Sequence, residues 1–470
     1  MGRRRKKNFI VPKVTFTGIA DKGKSVGRDE EGRVIFAENT APGDVADILV
    51  TRKKKGFLMG KAQTYHQLSE DRVQPFCQHY GPCGGCKWQH LSYDAQLKHK
   101  EKVVRDAMQR IARVEIGDFQ PILGAPETTF YRNKLEFSFS NKRWLAPEEL
   151  NTEVSNKQDV LGFHPQGAFD KIIDIEKCWL QPDPSNAIRN GIRDLARKQA
   201  LSFWDARANE GFLRNMMLRI TTLDQTLLLI AFSTDEQNAR ERFLDAILEQ
   251  HPQITSLYYC INTKVNDFMM DLPMHLYYGP GRVEEKLGTV RFRIGPKSFF
   301  QTNTRQGQQL YDVVTEFAEL TGQENVYDLY TGLGSIALYL AGNCKNIVGI
   351  EEIEAAIEDA RINAEQNDIR NASFYAGDVK DILTKDFAAA HGAPDLLVTD
   401  PPRAGMHPKV VDMLLELEPP RLVYVSCNPA TQARDLQLLS SKYRVERMRP
   451  VDMFPHTHHI ENVALLKRIP

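Results

Sequence analysis

Apolar positions along the chain fall into three rhythms. Residues 8–66 read as short strands, VTFTGIA, RVIFA and VADILVT, rich in β-branched and aromatic residues and separated by turns at Gly27, Gly32 and Pro42-Gly43. Strands so short and closely spaced predict a small barrel of the oligonucleotide-binding type. A helical pattern follows from about Tyr93 to Ile111. Residues 128–292 mix helices with the runs LEFSFS, MMLRITT, LLLIAF and SLYYCI, which predict an antiparallel α+β domain. Over the last 175 or so residues, apolar strands alternate regularly with helices, from NVYDLY through NIVGIE, SFYAGD and DLLVTDPP to RLVYVSC. That rhythm predicts an α/β fold, a doubly wound parallel sheet finished by a hairpin of YRVERMRPVDMF and NVALLKRI. Ligands of such sheets sit at the carboxyl ends of the strands.

A chain of 470 residues is too long for one ordinary domain. No apolar run approaches the roughly 18 residues of a membrane span. The basic run Arg3–Lys7 leads through Ile10 and Val11 straight into Pro12 and Lys13, without the apolar stretch of a signal peptide. The expectation is a cytoplasmic protein with no membrane segment. Net charge is zero, but residues 1–55 hold fourteen Lys and Arg against seven Asp and Glu. A basic module on a neutral body can track phosphates, with Lys53, Lys54 and Lys55 as the candidate patch; the plainer reading is a solvated run.

The seven cysteines are an odd number in a chain without a leader, which argues against a disulfide framework. Cys77, Cys83 and Cys86 follow an x5, x2 spacing on a loop loosened by Gly81, Gly84 and Gly85, so three thiols can reach one inorganic centre. Cys178 is the nearest remaining candidate for a fourth ligand, and thiolates suit zinc or iron–sulfur.

In the last domain the first strand runs into Asp328-Leu-Tyr-Thr-Gly-Leu-Gly-Ser335, where Gly332 and Gly334 let backbone approach a ligand. Glu351 ends the second strand, placed to accept hydrogen bonds from ribose hydroxyls, and Asp378 ends the third, placed for an adenine amino group. Tyr330 is either a stacking face or a core residue. The turn lacks the third glycine of a pyrophosphate site, and the crowd of acids suits a cationic sulfonium. Asp400-Pro-Pro-Arg403 and Ser426-Cys427-Asn428-Pro429 end the fourth and fifth strands. On position alone Cys427 is equally a nucleophile or a small buried hydrophobe. The histidines His456, His458 and His459 share one short loop and cannot easily converge on one tetrahedral ion.

Together Cys77-x5-Cys83-x2-Cys86, Cys178, Phe300-Gln301-x-Asn303, Asp400-Pro-Pro-Arg403, Ser426-Cys427-Asn428-Pro429 and His459-Ile-Glu461 resemble the RNA uracil-C5 methyltransferases. The likeness extends over essentially the whole chain. It is closest to the 23S rRNA branch, with a TRAM domain and an iron–sulfur cluster. It implies a TRAM barrel that grips RNA over residues 1–67, and a central α+β domain over 68–95 and 128–292 carrying a [4Fe-4S] cluster on the four cysteines. It implies a Rossmann-like methyltransferase domain over 96–127 and 293–470. Gln301, Tyr330, Gly332, Gly334, Glu351, Asp378 and Asp400 would surround S-adenosylmethionine, with Asp400 also at the uracil edge. The turn departs from many relatives in having Thr331 and Ser335 at its ends.

The same residues fit the chemistry. Carbon 5 of uracil is a poor nucleophile until a thiolate adds to carbon 6, so Cys427 is the expected nucleophile. A base must then remove the carbon 5 proton, and Glu461 is the candidate. Arg132 and Arg403 are candidate RNA contacts or, equally, structural ion-pair partners. The expected partner is RNA, 23S rRNA before tRNA or both, and the expected state is a monomer. The competing readings are an RNA cytosine-5 methyltransferase and a non-catalytic RNA-binding assembly factor.

Overall fold

The protein, as a computed structural model, is described over residues 9–150 and 152–470; the basic run Arg3–Lys7 lies outside them. Five strands, Phe9–Ile19, Ser25–Arg28, Val34–Glu38, Val45–Lys54 and Phe57–Gln67, close into a barrel. Alternation builds it: Ala46, Ile48 and Val50 point inward from one strand and meet Val14, Phe16 and Ile35 in a sealed core. The last two strands run on beyond this core as a hairpin, pairing Lys54 with Phe57 around Gly56, whose φ of +90° suits a residue without a Cβ. Lys53, Lys54 and Lys55 stand exposed at its tip. The strands Ser25–Arg28 and Phe57–Gln67 were not legible as such. The first is only four residues long, and the second buries an alternating face only at its start.

The central sheet has seven strands, and it corrects the antiparallel expectation at one place. Thr226–Phe232 and Ile254–Ile261 pair in parallel, because helix Gln237–Gln250 between them carries the chain back across the sheet. A parallel neighbour needs such a crossover, and its strand is covered on both faces. All seven residues of Thr226–Phe232 are buried, which erases the period-two signal.

The third sheet has eight strands. Ala372–Ala376, Asn346–Glu351, Asn325–Leu329, Leu396–Thr399 and Arg421–Ser426 run parallel in that order. The hairpin Tyr443–Val451 with Glu461–Arg468 follows, and Ile116–Phe119 adds an outer strand parallel to it. Among the described residues no helix is long and apolar enough to cross a membrane.

One helix ties the three units together. Tyr93–Ala107 starts on a Ser92 cap, whose hydroxyl accepts from the Ala95 N–H. Its Lys100 is fully buried and donates to Asp452 at 2.6 Å and to the Phe454 carbonyl at 3.1 Å. Burial pushes the Lys100 ammonium down, and Asp452 opposes that shift. Asp452 also accepts from the Tyr93 hydroxyl at 2.9 Å and the Phe454 N–H at 3.0 Å. One turn earlier, Gln96 accepts from the His456 N–H and donates to the Trp88 and Leu91 carbonyls. Trp88 in turn donates its indole N–H to Gly23 of the barrel at 3.0 Å.

Removing one partner of a buried ion pair leaves an uncompensated charge, at a cost of about 3–5 kcal/mol, whereas removing both costs much less. Lys100→Met is therefore expected to lower the urea midpoint sharply, and Lys100→Met with Asp452→Leu to recover part of the loss. A single-variant loss below about 1 kcal/mol would show that the pair carries little.

Candidate active site

The parallel strands bring their carboxyl ends to one edge, and the register places the site. Leu329 pairs with both Ile350 and Thr399, so Tyr330, Glu351 and Asp400 emerge side by side. Thr399 pairs with Tyr424, which brings the Cys427 turn alongside. On the far side of that strand Ser426 pairs with Asn462. Cys427 and Glu461 therefore occupy the next facing positions, at the end of the ladder. Asn428 caps the helix Pro429–Leu439, accepting from the Ala430 N–H, and its amide donates to the Arg403 carbonyl at 3.0 Å. That bond fixes the Asp400–Arg403 turn against the cysteine turn.

The electrostatics are those of crowded acids. Burial pushes the Cys427 thiol up to about 11; Glu461 and Asp400 push the same way, and Arg403 opposes them. Glu461 is 6% exposed. Burial, then Asp400, hold its carboxyl well above the usual range, again against Arg403. Burial lifts Asp400 to about 7. Asp328, one strand in, is also raised to about 7 by burial, with Asp400 and Glu351 adding to it. Its Oδ2 accepts from Thr331 Oγ1 at 2.5 Å and the Ala337 N–H at 3.1 Å, while its buried Oδ1 has no hydrogen-bond partner. A carboxyl so placed loses little by taking up a proton. Asp328 was not singled out from the sequence; an acid inside an apolar strand, next to a glycine-rich turn, was the available signal.

The glycine-rich turn is open. Gly332 has a φ of +56°, and a Cβ there would meet nothing within 4 Å. Gly334 at φ +83° is packed against Ala360 and Phe374, so it serves the turn's own fit. Tyr330 also has positive φ, 64°, strained for a bulky residue. It packs against the core, and burial raises its phenol to about 12. Glu351 is half-buried; one oxygen accepts from the Gly332 N–H at 3.2 Å and the other from the Ile353 N–H at 3.0 Å. The departure residues have structural partners: Thr331 holds Asp328, and Ser335 accepts from the Tyr311 hydroxyl at 3.0 Å.

Gln301 is 8% exposed and reaches the same edge from outside the sheet. Asn133 of the central unit donates to its carbonyl at 2.8 Å, and Asn303, capping helix Thr304–Ala318, donates to the Met453 carbonyl at 3.0 Å. Tyr311 of that helix lies against Gln301, Asp400 and Asp328. Asp378 is turned to its own helix, capping the Lys380 N–H and pairing with the Lys380 ammonium, which holds its carboxyl down.

Arg403 is exposed beside Cys427 and Glu461. Arg132 packs its guanidinium 5.0 Å from the Phe454 ring and, with Arg403, helps depress His459 to about 3, burial being the larger cause. Lys53, Lys54 and Lys55 lie on the barrel hairpin, a separate surface feature. His456 engages Gln96 through Nδ1 at 3.2 Å, and the His458 and His459 rings lie against each other, tilted by 34° at 4.2 Å between centroids, so the three rings do not share one centre.

Cys77, Cys83, Cys86 and Cys178 line one cavity of about 210 Å³, walled also by Arg132 and Trp179. Burial raises all four thiols, Cys83 to about 11 and Cys86 to about 12, and other cysteines of the set add to the shifts of Cys83, Cys86 and Cys178. Among the described residues no group of three or more His, Cys, Asp or Glu side chains is arranged to hold a metal ion. A tetrahedral single-ion site would need the sulfurs about 2.3 Å from a common point; these thiols surround a space instead. Cys260 and Cys344 are buried in the apolar core.

The tRNA (Uracil-5-)-methyltransferase family matches residues 282–469, and the TRAM domain family matches residues 5–62. An uncharacterized RNA methyltransferase of Bacteroides thetaiotaomicron is 51% identical over 96% of this chain and 100% of its own. One from Chlorobaculum tepidum is 41% identical over 99% and 98%. The solved structure of Pyrococcus abyssi tRNA (uracil-54, C5)-methyltransferase, in complex with S-adenosyl-L-homocysteine, superposes with a TM-score of 0.75 at 28% identity, over 97% of this chain and 100% of that one. The chain belongs to the TRAM-domain-containing RNA uracil-5-methyltransferase family.

Proposed function

We propose that the protein methylates carbon 5 of a uridine in RNA, using S-adenosylmethionine, with Cys427 as nucleophile and Glu461 as base. The observation that carries this reading is the facing pair at the end of the ladder Arg421–Ser426 with Glu461–Arg468, flanked by Asp400. Cys427 would add through sulfur to carbon 6 of the uracil, its thiol proton leaving to solvent or to a neighbouring carboxylate. The ring's electron pair shifts toward carbon 5 and the carbon 4 oxygen. A protonated Asp400 can donate to that ring edge. When bound, S-adenosylmethionine would supply an electrophilic methyl group to carbon 5, the methyl–sulfur bond breaking with its electron pair left on sulfur as S-adenosylhomocysteine. Glu461 then takes the carbon 5 proton, and the returning electron pair expels the Cys427 thiolate. Glu351, the open Gly332 backbone, Tyr330 and Gln301 are the residues proposed to hold the cofactor. The acids around them suit a sulfonium. Asp378 would have to release Lys380 before it could meet an adenine amino group.

The substrate best supported is tRNA rather than the 23S rRNA that the sequence motifs favour, because the full-length structural likeness is to a tRNA uracil-54 enzyme. The cysteine cavity keeps rRNA as the second reading. We propose that it holds a [4Fe-4S] cluster, since four thiols around one space suit a polynuclear centre better than a single ion.

With an unmodified tRNA transcript carrying 5-fluorouridine, a denaturation-resistant adduct is expected with the wild type and none with Cys427→Ala. Glu461→Gln is expected to methylate ordinary RNA once and remain joined to it; normal turnover by that variant would remove Glu461 from the base role. The pH dependence of adduct formation follows from the thiol. A group raised to about 11 is almost wholly protonated at neutrality, so the rate should level off above about pH 7, where the donating proton of Asp400 is lost, and climb, approaching tenfold per unit, through about pH 5 to 7. A rate flat across that range, with chemistry limiting, would contradict a thiol so buried. Anaerobically purified protein is expected to be brown with about four irons per chain, and Cys178→Ser to lose most of them. Colourless protein with one zinc would overturn the cluster.

A further inference from the structure

The central unit carries a loop, residues 262–271, that is rigid in its backbone and apolar at its surface. Arg214, 1% exposed, lies beneath it. Its guanidinium donates to the carbonyls of Asn262 at 2.8 Å, Asn266 at 3.2 Å and also Lys264, and pairs with Asp267 at 2.9 Å. The same group lies 4.1 Å from the centre of the Trp204 ring. Asn262, fully buried, adds a bond to the Asn266 carbonyl, and Lys264 bonds the Phe268 carbonyl at 2.7 Å. So many donors on one short stretch of carbonyls leave its backbone little freedom. Yet Val265 is 78% exposed and Phe268 59% exposed.

A loop held this firmly while presenting a phenylalanine to water has paid its ordering cost before any partner arrives. Its position says which partner. Met269 of the loop is buried in the same core as Phe300, which precedes Gln301 at the candidate active site. Lys297, exposed in the bend between the strand Val290–Ile294 and Phe300, lies near enough to act on Asp271 of the loop. Lys264 satisfies Asp271 at 2.6 Å, and Arg214 satisfies Asp267. The acids of the loop are therefore neutralised from within, and an incoming polyanion meets no net repulsion from them.

We propose that the Val265–Phe268 surface is an RNA contact, on which an unpaired nucleotide flanking the target uridine stacks while Lys297 meets its phosphate. The inference rests on the RNA-methyltransferase reading above and adds a surface that selects RNA without touching the reacting atoms. An aromatic face stacks on any base, so the contact favours substrates whose target lies in an unpaired loop over duplex RNA.

Phe268→Ala, on an exposed side chain, should leave folding, the KM for S-adenosylmethionine and the single-turnover rate at saturating RNA unchanged. It should weaken the dissociation constant for the RNA by about tenfold, as expected for one stacked base, and Phe268→Trp should restore it. The RNA is whichever of an unmodified tRNA transcript and a 23S rRNA transcript the wild type traps through 5-fluorouridine. In Phe268→Trp, indole fluorescence should be quenched on adding that RNA. Unchanged RNA affinity in Phe268→Ala, with the wild type forming the trap, would overturn this contact alone and leave the patch to a protein partner. A wild type that traps neither RNA would overturn the proposed function, and this inference with it.

Discussion

The buried Lys100–Asp452 pair is the constraint on which the site's geometry rests. Two opposite charges without water are costly unless each is fully partnered, and here they are: Lys100 has a carboxylate and a carbonyl, and Asp452 has an ammonium, a phenol and an N–H. Such a pair tolerates little displacement, because every partner is needed at once. It fixes the helix Tyr93–Ala107 to the start of the loop whose end carries Glu461. The Gln96 bonds repeat the fixing one turn away. The loop therefore enters the last strand from a set position, and Glu461 meets Cys427 by register rather than by chance. The helix is more than 350 residues from the loop it positions, so this constraint belongs to the tertiary fold alone.

The same loop connects the units that would grip RNA to the reacting groups. Lys87 and Trp88, just beyond the cysteine loop, both donate N–H to the His456 carbonyl, and Trp88 donates its indole to the barrel. Phe76, beside Cys77, packs edge-on to His456 and to Trp179. Arg132 lines the cysteine cavity on one side and packs on Phe454 on the other. A change in the cysteine cavity or at the barrel seam is thus felt at residues 454–459, two to seven positions before the proposed base.

Much of the site was legible because α/β sheets confine chemistry to strand ends. Asp400, Cys427 and Glu351 each close an apolar run, and the register brings all three to one edge. What could not be read were the roles set by distant partners. Asp378 looks free for a ligand in sequence, but Lys380 two residues on occupies it. Asp328 looks like a strand residue, but its partnerless Oδ1 makes it part of the acid cluster. Lys100 and Gln96 look like the polar face of an amphipathic helix and are among its buried residues. The parallel pair in the central sheet was hidden for a related reason. A strand buried on both faces loses its alternation, so its direction depends on the crossover and not on its own residues.

The acid cluster also sets the order in which the proposed chemistry can run. Cys427 must become an anion beside Glu461, Asp400 and, through Asp400, Asp328, and each ionised carboxylate makes that harder. Arg403 opposes the shift at both Cys427 and Glu461. With an empty pocket the thiol stays protonated, which guards it against oxidation and stray alkylation. A sulfonium seated among these acids would offset their charge, and a uracil edge hydrogen-bonded to Asp400 would keep that carboxyl neutral. Both lower the barrier to the thiolate only when both ligands are present. On the proposed mechanism, the burial that keeps the Cys427 thiol protonated would therefore couple its activation to a complete site.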